Sequence, residues 1–142
     1  APPSLHAQML LCDVLLATDR PAQAAARAEK ALGLATDGSA PWITLGLRVR
    51  HGRALKDLGD LEGAETELRA GYEGLRDLVG ATSGETLGAQ WMLGETLLEQ
   101  GKSAVAREVL CDAHGIAVEA LAEGHATRQS LQAATVELGG CH

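Results

Sequence analysis

The chain has 142 residues, of which 46% are hydrophobic and only 2% aromatic, and its formal net charge is -7. The acidic balance argues against a nucleic-acid footprint, which needs a basic stripe, and against binding to an anionic membrane surface. No apolar run approaches the roughly 20 residues of a membrane span, and no signal peptide is visible at the start.

Seven helices and no strands are predicted, because the abundant Leu, Ala, Glu, Gln and Arg favour helix over strand. Caps and turns mark the helix ends: Ser4 precedes the first helix, and Gly59-Asp60 separates the third from the fourth. Thr82-Ser83 with Glu85-Thr86 resembles a capping box before the fifth helix. The predicted ranges are about 4–17, 21–35, 42–58, 61–79, 83–100, 102–122 and 126–138.

An internal repeat of 42 residues is the main signal. Matching pairs are Gly52 with Gly94, Leu55 with Leu97, Gly59 with Gly101, Ala64 with Ala106, and Leu68 with Leu110. An earlier copy fits at a spacing of 40, and a fourth copy begins where His125 follows Ser83 by 42 residues. We therefore predict one domain over residues 1–142. Its repeats span about 4–37, 40–80 and 83–122, followed by a terminal helix at about 126–138.

Gly52 and Gly94 fall inside helices, where a glycine costs about 1 kcal/mol relative to alanine. Their recurrence predicts close packing against the second helix of each unit, where Ala64 and Ala106 also lie. The strict register favours a solenoid of stacked repeats over a closed helical bundle, because each stacked unit contacts only its neighbours.

The three cysteines, Cys12, Cys111 and Cys141, do not form a recognisable disulfide framework, since their number is odd and their spacing is wide. We expect reduced thiols in a cytoplasmic protein, with Cys12 and Cys111 as small core residues. Cys141 and His142 are adjacent metal-ligand types without further partners, so a frayed terminus is favoured over a metal site.

The repeat resembles the tetratricopeptide repeat. That family's pattern has Leu-Gly in the first helix, a large apolar residue one turn later, a glycine turn and an early alanine in the second helix. The third unit carries this pattern in Leu93-Gly94, Leu97, Gly101 and Ala106. The long unit and the stretch from Gly80 to Leu87 are most similar to the kinesin-light-chain class, which is widespread in bacterial signalling proteins. The resemblance implies an all-α, right-handed superhelical solenoid of three antiparallel helix pairs plus a C-terminal capping helix.

The chain departs from the family's known ligand modes. Trp91 falls one residue after the usual aromatic position, which Gln90 occupies. Val49-Arg50 and Trp91-Met92 stand where the kinesin-light-chain class has paired Asn, and the chain contains no Asn. Neither the Asn-mediated peptide binding of that class nor the carboxylate clamp of co-chaperone repeats is therefore carried over.

By resemblance, the first helix of each unit lines a concave groove. Helical spacing places three exposed positions of each helix on that face. These groove positions are His6, Met9, Asp13, Val49, Arg53, Lys56, Trp91, Glu95 and Glu99. Trp91 is either an aromatic anchor for a partner or a packing residue against the neighbouring helix. Arg53 and Lys56 form either a basic centre of the groove or a solvated face paired to acids.

Other chemistry-bearing residues indicate structure. His51 and His114 lie inside helices as packing or surface residues, and His125 suits a loop or capping role. Gly101-Lys102-Ser103 resembles the end of a phosphate-binding loop, but Thr96 stands where that loop needs a glycine. We therefore predict no catalytic constellation, no metal and no cofactor.

The sequence predicts a protein-protein interaction scaffold. The groove would bind a peptide or helix of a partner protein, or a neighbouring domain of the parent protein. The missing initiator Met and the truncated fourth unit favour a piece of something larger, and the resemblance implies bacterial kinases or transcriptional regulators as parents. The alternative is self-association, as a homodimer, through exposed solenoid ends. An enzyme or small-ligand sensor would need a deep pocket with convergent polar groups, which the sequence does not indicate.

Overall fold

The computed structural model describes residues 3–141, and within that range the chain is all-α, with seven helices and no strand. The helices are α1 (Leu5–Ala17), α2 (Pro21–Leu34), α3 (Pro41–Asp57), α4 (Leu61–Val79), α5 (Gly84–Glu99), α6 (Ser103–Ala120) and α7 (Ala126–Glu137). The predicted number, order and type of elements are confirmed. No helix in the described range combines the length and apolar character needed to cross a membrane.

The helices form two compact units, Ala1–Gly71 and Tyr72–His142, with the boundary inside α4. Unit 1 contains α1, α2, α3 and the first part of α4, whereas unit 2 contains the rest of α4 with α5, α6 and α7. The assignment of residues 1–142 to one repeat domain stays a prediction.

Three turns between paired helices have the same backbone geometry. Their central residues adopt left-handed conformations, with φ of 58° at Asp19, 86° at Gly59 and 79° at Gly101. In each turn the next amide donates to the carbonyl five residues earlier, a Schellman-type helix end. These bonds run from Arg20 to Leu15 at 2.8 Å, from Asp60 to Leu55 at 2.9 Å and from Lys102 to Leu97 at 2.9 Å. The sequence repeat is therefore also a repeat of turn structure.

Close approach at the repeated glycines is confirmed. A Cβ atom added to Gly52 would lie 2.7 Å from Cγ of Leu68, and one added to Gly94 would lie 2.4 Å from Cγ of Leu110. Ala64 and Ala106, one turn before these leucines, are fully buried. The first helix of each pair therefore contacts a leucine of the second at a position where any side chain would collide.

Each unit buries its own apolar cluster. In unit 1, Met9, Cys12, Ala28, Ala31 and Leu47 form one buried cluster, and Leu16, Ala24, Ala25 and Ala54 form another. In unit 2, α5, α6 and α7 share a cluster of Leu87, Leu110, Ala113, Ala117, Leu131 and Ala134. Leucine and alanine make up most of both cores, which fits a chain that has almost no aromatic residues.

The C-terminal segment is bound to α6 by a disulfide and by hydrogen bonds, whereas the sequence analysis favoured a frayed terminus with reduced thiols. Cys111 and Cys141 form a disulfide, so the expectation of three reduced thiols is wrong, and so is the expectation that Cys111 is a core thiol. The Arg107 guanidinium also donates to the Gly140 carbonyl at 2.6 Å and to the Leu138 carbonyl. Cys141 is thus held rather than frayed, whereas His142 lies outside the described residues. Cys12 is a free, buried thiol, as predicted.

The physical reason for this pairing is the length of α7. It ends at Glu137, and left-handed turns at Gly139 and Gly140, with φ of 84° and 93°, follow at once. Measured from its N-cap, α7 is therefore shorter than the equivalent helix α5. The early end returns Cys141 to the side of α6, where Cys111 lies one turn after Arg107.

Two predicted caps have clear outcomes. His125 is the N-cap of α7, and its Nδ1 accepts a hydrogen bond from the Thr127 amide at 3.1 Å, which confirms the capping role. Ser83 caps α5 by accepting from the Glu85 amide at 3.3 Å. The reciprocal half of the predicted capping box is missing within the described residues, since the buried Thr86 hydroxyl has no hydrogen-bond partner there.

Candidate interaction surface

The first predicted set of groove residues lies on α1. His6 is exposed and Asp13 is half-buried, but Met9 is only 5% exposed. Its sulfur packs against Gly46 of α3, where an added Cβ atom would lie 2.6 Å from Sδ. The prediction of Met9 as an exposed groove position is therefore wrong, because α1 and α3 approach closely at a glycine that leaves room for the thioether.

Asp13 joins α1 to α3 through a two-pronged ion pair. Its carboxylate accepts from Nε of Arg50 at 2.7 Å and from Nη2 at 3.1 Å, and Arg50 also donates to the Gly46 carbonyl at 3.0 Å. Planar bidentate pairs of this kind are stronger and more specific than single surface contacts. Arg50 had been placed only at a position where the resembling class has Asn, so its pairing with Asp13 is new from the structure.

His6 forms an aromatic pair with a residue that sequence analysis did not assign to the site. Its ring meets Trp42 of α3 edge to face, with ring centroids 5.4 Å apart and an interplanar angle of 75°. Trp42 is 39% exposed, so part of the indole is open to a partner. The available sequence signal was its place in the first turn of α3, since helices α1 and α3 of adjacent repeats run side by side in unit 1.

The second predicted set lies on α3. Arg53 is exposed and Lys56 half-buried, but Val49 is only 7% exposed. A Cβ atom on Gly71 of α4 would lie 2.7 Å from Cγ2 of Val49. The expected exposure of Val49 is therefore wrong, because α4 covers this side of α3. On the same helix, Arg50 rather than a predicted groove residue makes the two-pronged ion pair with Asp13.

The third set lies on α5 in unit 2. Trp91 is half-buried and packs against the cluster of α5, α6 and α7, which is the packing alternative considered for it. Glu95 is half-buried and Glu99 is exposed. Gln90, at the family's aromatic position, is buried and donates to the Val109 carbonyl at 3.1 Å and to Asp112 at 2.9 Å. A polar anchor to α6 thus replaces the aromatic contact.

The helical histidines make contacts between helices. His51 Nδ1 lies 3.0 Å from Oε2 of Glu67, and Arg48 donates to the other oxygen of the same carboxylate at 3.1 Å. His114 Nε2 lies 2.7 Å from Oε1 of Gln132. These residues join α3 to α4 and α6 to α7, in agreement with the packing and surface roles predicted for them.

An open cavity of about 330 Å³ lies beside α7. Its lining consists of Glu123, Arg128, Gln129, Gln132 and Ala133. Arg128 is already engaged with the Leu121 carbonyl at 2.9 Å. Since the lining comes from one helix and the loop before it, this cavity does not bring together groups from several elements. Among residues 3–141, no three His, Cys, Asp or Glu side chains converge as metal ligands would.

The exposed side of α1 is apolar. Leu10, Leu11 and Val14 are 51%, 39% and 58% exposed, whereas Cys12 and Leu16 on the opposite side are buried. A contiguous apolar patch left exposed on a helix marks a candidate contact surface. This outer face of α1, defined by Ala7, Leu10, Leu11, Val14 and Ala17, is therefore a second candidate surface.

A scan against protein-family models and a search of curated proteins found no match to this chain.

Proposed function

We propose that the chain is a tetratricopeptide-type scaffold of the kinesin-light-chain class, of the kind widespread in bacterial signalling proteins, and that it is not an enzyme. Its helix pairs stack as a right-handed solenoid capped by α7, and the first helices line a concave groove. The groove binds a peptide or helix of a partner protein, or a neighbouring domain of the parent protein. No cofactor, nucleic acid or membrane takes part.

The observation that supports this proposal most is the recurrence of one turn and one packing contact. The left-handed turns at Asp19, Gly59 and Gly101 and the glycine–leucine contacts at Gly52 and Gly94 follow the sequence repeat. Tandem units of one geometry build extended surfaces, which is how repeat proteins bind their partners.

The character of the partner follows from the groove residues. The indole edge of Trp42, paired with His6, offers an apolar contact, and Arg53 on the same helix offers an exposed positive charge. Tryptophan and arginine are the residue types that carry most binding energy at protein interfaces. We propose a peptide with an apolar side chain opposite Trp42 and an acidic residue opposite Arg53. Glu95 and Glu99 on α5 add acidic positions to the proposed groove.

The test is selection of peptides from a displayed library on the full chain, followed by affinity measurements on variants. We expect Trp42→Ala and Arg53→Glu each to weaken the selected peptides by at least about 10-fold. Lys30→Glu is the matched control, since Lys30 is exposed on α2, outside the proposed groove, and its replacement should change affinity by less than about 2-fold. Circular dichroism establishes that each variant is folded. Failure to enrich any peptide, or equal affinity of wild type and both groove variants, would contradict the groove assignment.

Self-association is the second candidate function. The observation that favours it is the apolar outer face of α1, because a solvent-exposed helix that carries Leu10, Leu11 and Val14 gains stability when another surface covers it. The solenoid end that contains α1 would then be the contact in a homodimer. Sedimentation of the chain over a range of concentrations separates this function from groove binding.

The cellular location is proposed to be the cytoplasm, although the Cys111–Cys141 disulfide is more typical of an oxidising compartment. Thiols trapped by alkylation in intact source cells decide between the two. Three labelled cysteines place the protein in a reducing compartment, whereas labelling of Cys12 alone after denaturation places it in an oxidising one.

A further inference from the structure

The outer face of α1 carries a row of side chains whose sizes follow the same order from either end of the helix. Ala7, Leu10, Val14 and Ala17 are spaced by three, four and three residues, so they form one stripe along the helix. The order is small, large, large, small, and the centre of the row falls at position 12. Leu10 and Val14, the two large members, are 51% and 58% exposed.

No acidic or basic side chain interrupts this row. The only such residues on α1 are His6 and Asp13. Asp13 is held by Arg50 at 2.7 and 3.1 Å, and the His6 ring is turned to Trp42. A second apolar helix can therefore approach the row without removing a charge from water, which would be costly.

We propose that a second copy of this chain covers the row, with the two α1 helices packed antiparallel about a two-fold axis at position 12. In this register Leu10 of each copy faces Val14 of the other, and Ala7 faces Ala17. Two-fold contacts use the same patch of both subunits, so a row whose side-chain sizes follow the same order in both directions can pair with its own copy, with Leu10 against Val14 twice. Antiparallel packing also places the helix macrodipoles in opposite directions. The proposal specifies the self-association given above as the second candidate function.

A closed pair is favoured over a head-to-tail chain of copies. In a head-to-tail contact, α1 of one copy would meet the exposed side of the last helix, α7. That side carries Gln129 and Gln132 beside Val136, and Gln132 already contacts His114 at 2.7 Å, so polar amides rather than apolar atoms would face Leu10 and Val14. In the α1–α1 contact, Leu10 and Val14 bury apolar atoms against apolar atoms.

The size of the contact sets the expected affinity. A helix of 13 residues is about 20 Å long. Two such helices with their flanking residues bury on the order of 800–1,000 Å² in total, which is below the roughly 1,200 Å² at which standard-size interfaces begin and is typical of a weak, transient contact. We therefore expect a dissociation constant in the micromolar range. Each copy has a net charge of -7, so added salt should tighten the dimer by screening the repulsion between copies.

The experiment is sedimentation of the full 142-residue chain from about 1 to 500 μM, a range that brackets a micromolar dissociation constant. We expect a monomer–dimer equilibrium that salt shifts towards dimer. Leu10→Glu alone and Val14→Lys alone should each weaken it at least about 10-fold, since each places two unpaired charges in the contact. Val136→Glu is the matched control, because Val136 is 64% exposed on α7 and should be neutral.

An equimolar mixture of the two single variants tests the register. In the antiparallel dimer, the new carboxylate at position 10 of one chain faces the new ammonium at position 14 of the other, while the remaining Val–Leu pair is unchanged. The mixture should therefore associate within about 10-fold of wild type, although neither variant does so alone. A parallel pair predicts no such recovery, because position 10 would face position 10.

The possible results distinguish self-association in general from the specific pairing of α1 helices. A monomer at every concentration overturns self-association itself. A dimer that Leu10→Glu leaves unchanged, a mixture that does not recover, or growth beyond dimer overturns the α1 pairing while leaving self-association in place. Circular dichroism and thermal unfolding of each variant confirm that the weakened association does not result from loss of fold.

Discussion

Replacing Gly94 with alanine should destabilise the protein, although alanine is the better helix former. The exchange gains about 1 kcal/mol of helix propensity. Against this, the new Cβ atom would lie 2.4 Å from both Cγ and Cδ2 of Leu110, which is fully buried and has no space to withdraw. Overpacking of a closed core costs about 1–3 kcal/mol, and such close contacts place this site at the upper end. We expect a net loss of about 2 kcal/mol in the free energy of unfolding.

Gly115 provides the matched control. It lies inside α6, and a Cβ atom there meets nothing within 4 Å, so Gly115→Ala should stabilise by about 1 kcal/mol. The two substitutions thus have opposite signs. Urea unfolding followed by circular dichroism, with the disulfide intact in every variant, measures both.

A double-mutant cycle identifies the cause. Leu110→Ala alone should cost about 2–5 kcal/mol through the cavity it leaves. Adding Gly94→Ala in that background should stabilise, because the colliding atoms are gone and only the propensity gain of about 1 kcal/mol remains. A Gly94→Ala variant that is as stable as wild type, or additive effects in the cycle, would refute the close approach of α5 and α6 at this point.

Three further predictions concern the cysteines and the turns. Cys111→Ser with Cys141→Ser should lower the free energy of unfolding by about 3.7 kcal/mol at 25 °C, because the closed loop, whose ends are 30 residues apart, gains entropy when it is opened. Wild type reduced with dithiothreitol should unfold at the same urea concentration as the double variant. A double variant with the urea midpoint of oxidised wild type would contradict the disulfide. Asp19→Gly should stabilise by about 0.5–1 kcal/mol in thermal unfolding, because φ of 58° strains a side chain; a loss would contradict the left-handed turn. Burial raises the pKa of the Cys12 thiol, although the charge of Arg50 opposes this, so the unfolded chain loses its proton first as pH rises. The stability of wild type relative to Cys12→Ala should therefore hold below the ordinary thiol pKa and fall above it, which unfolding over a pH series measures; a constant difference would contradict the burial.

Local signals in the sequence were sufficient to predict the helices. Pro21, Gly59 and Gly101 mark helix ends through backbone geometry that they impose on their own neighbours, so the predicted ranges agree with the observed ones to within about two residues. The repeat then predicted where helices approach closely, because Gly52 and Gly94 recur at equivalent positions. Both kinds of signal depend on residues near each other in the chain.

Contacts over long separations were not predictable in the same way. Met9 and Val49 are buried because Gly46 and Gly71 on other helices admit them, and no pattern within α1 or α3 alone indicates this. The pairing of Cys111 with Cys141 depends on the early end of α7. The predicted end of that helix, at about residue 138, agrees with the observed end at Glu137, but no local signal indicates that the following turns bring Cys141 back to Cys111. Which groove residues bind a partner stays a prediction.

The recurrent turn also bears on how such a chain can change in length. At Asp19, Gly59 and Gly101 the backbone leaves one helix and enters the next with the same handedness and the same hydrogen bond. A segment cut at one of these turns and joined at another would be connected through the same left-handed turn and the same hydrogen bond. The turns are 40 and 42 residues apart, so we expect that whole modules of these lengths can be duplicated, deleted or exchanged at these joints, whereas insertions of other lengths would disturb the register of the contacts that follow.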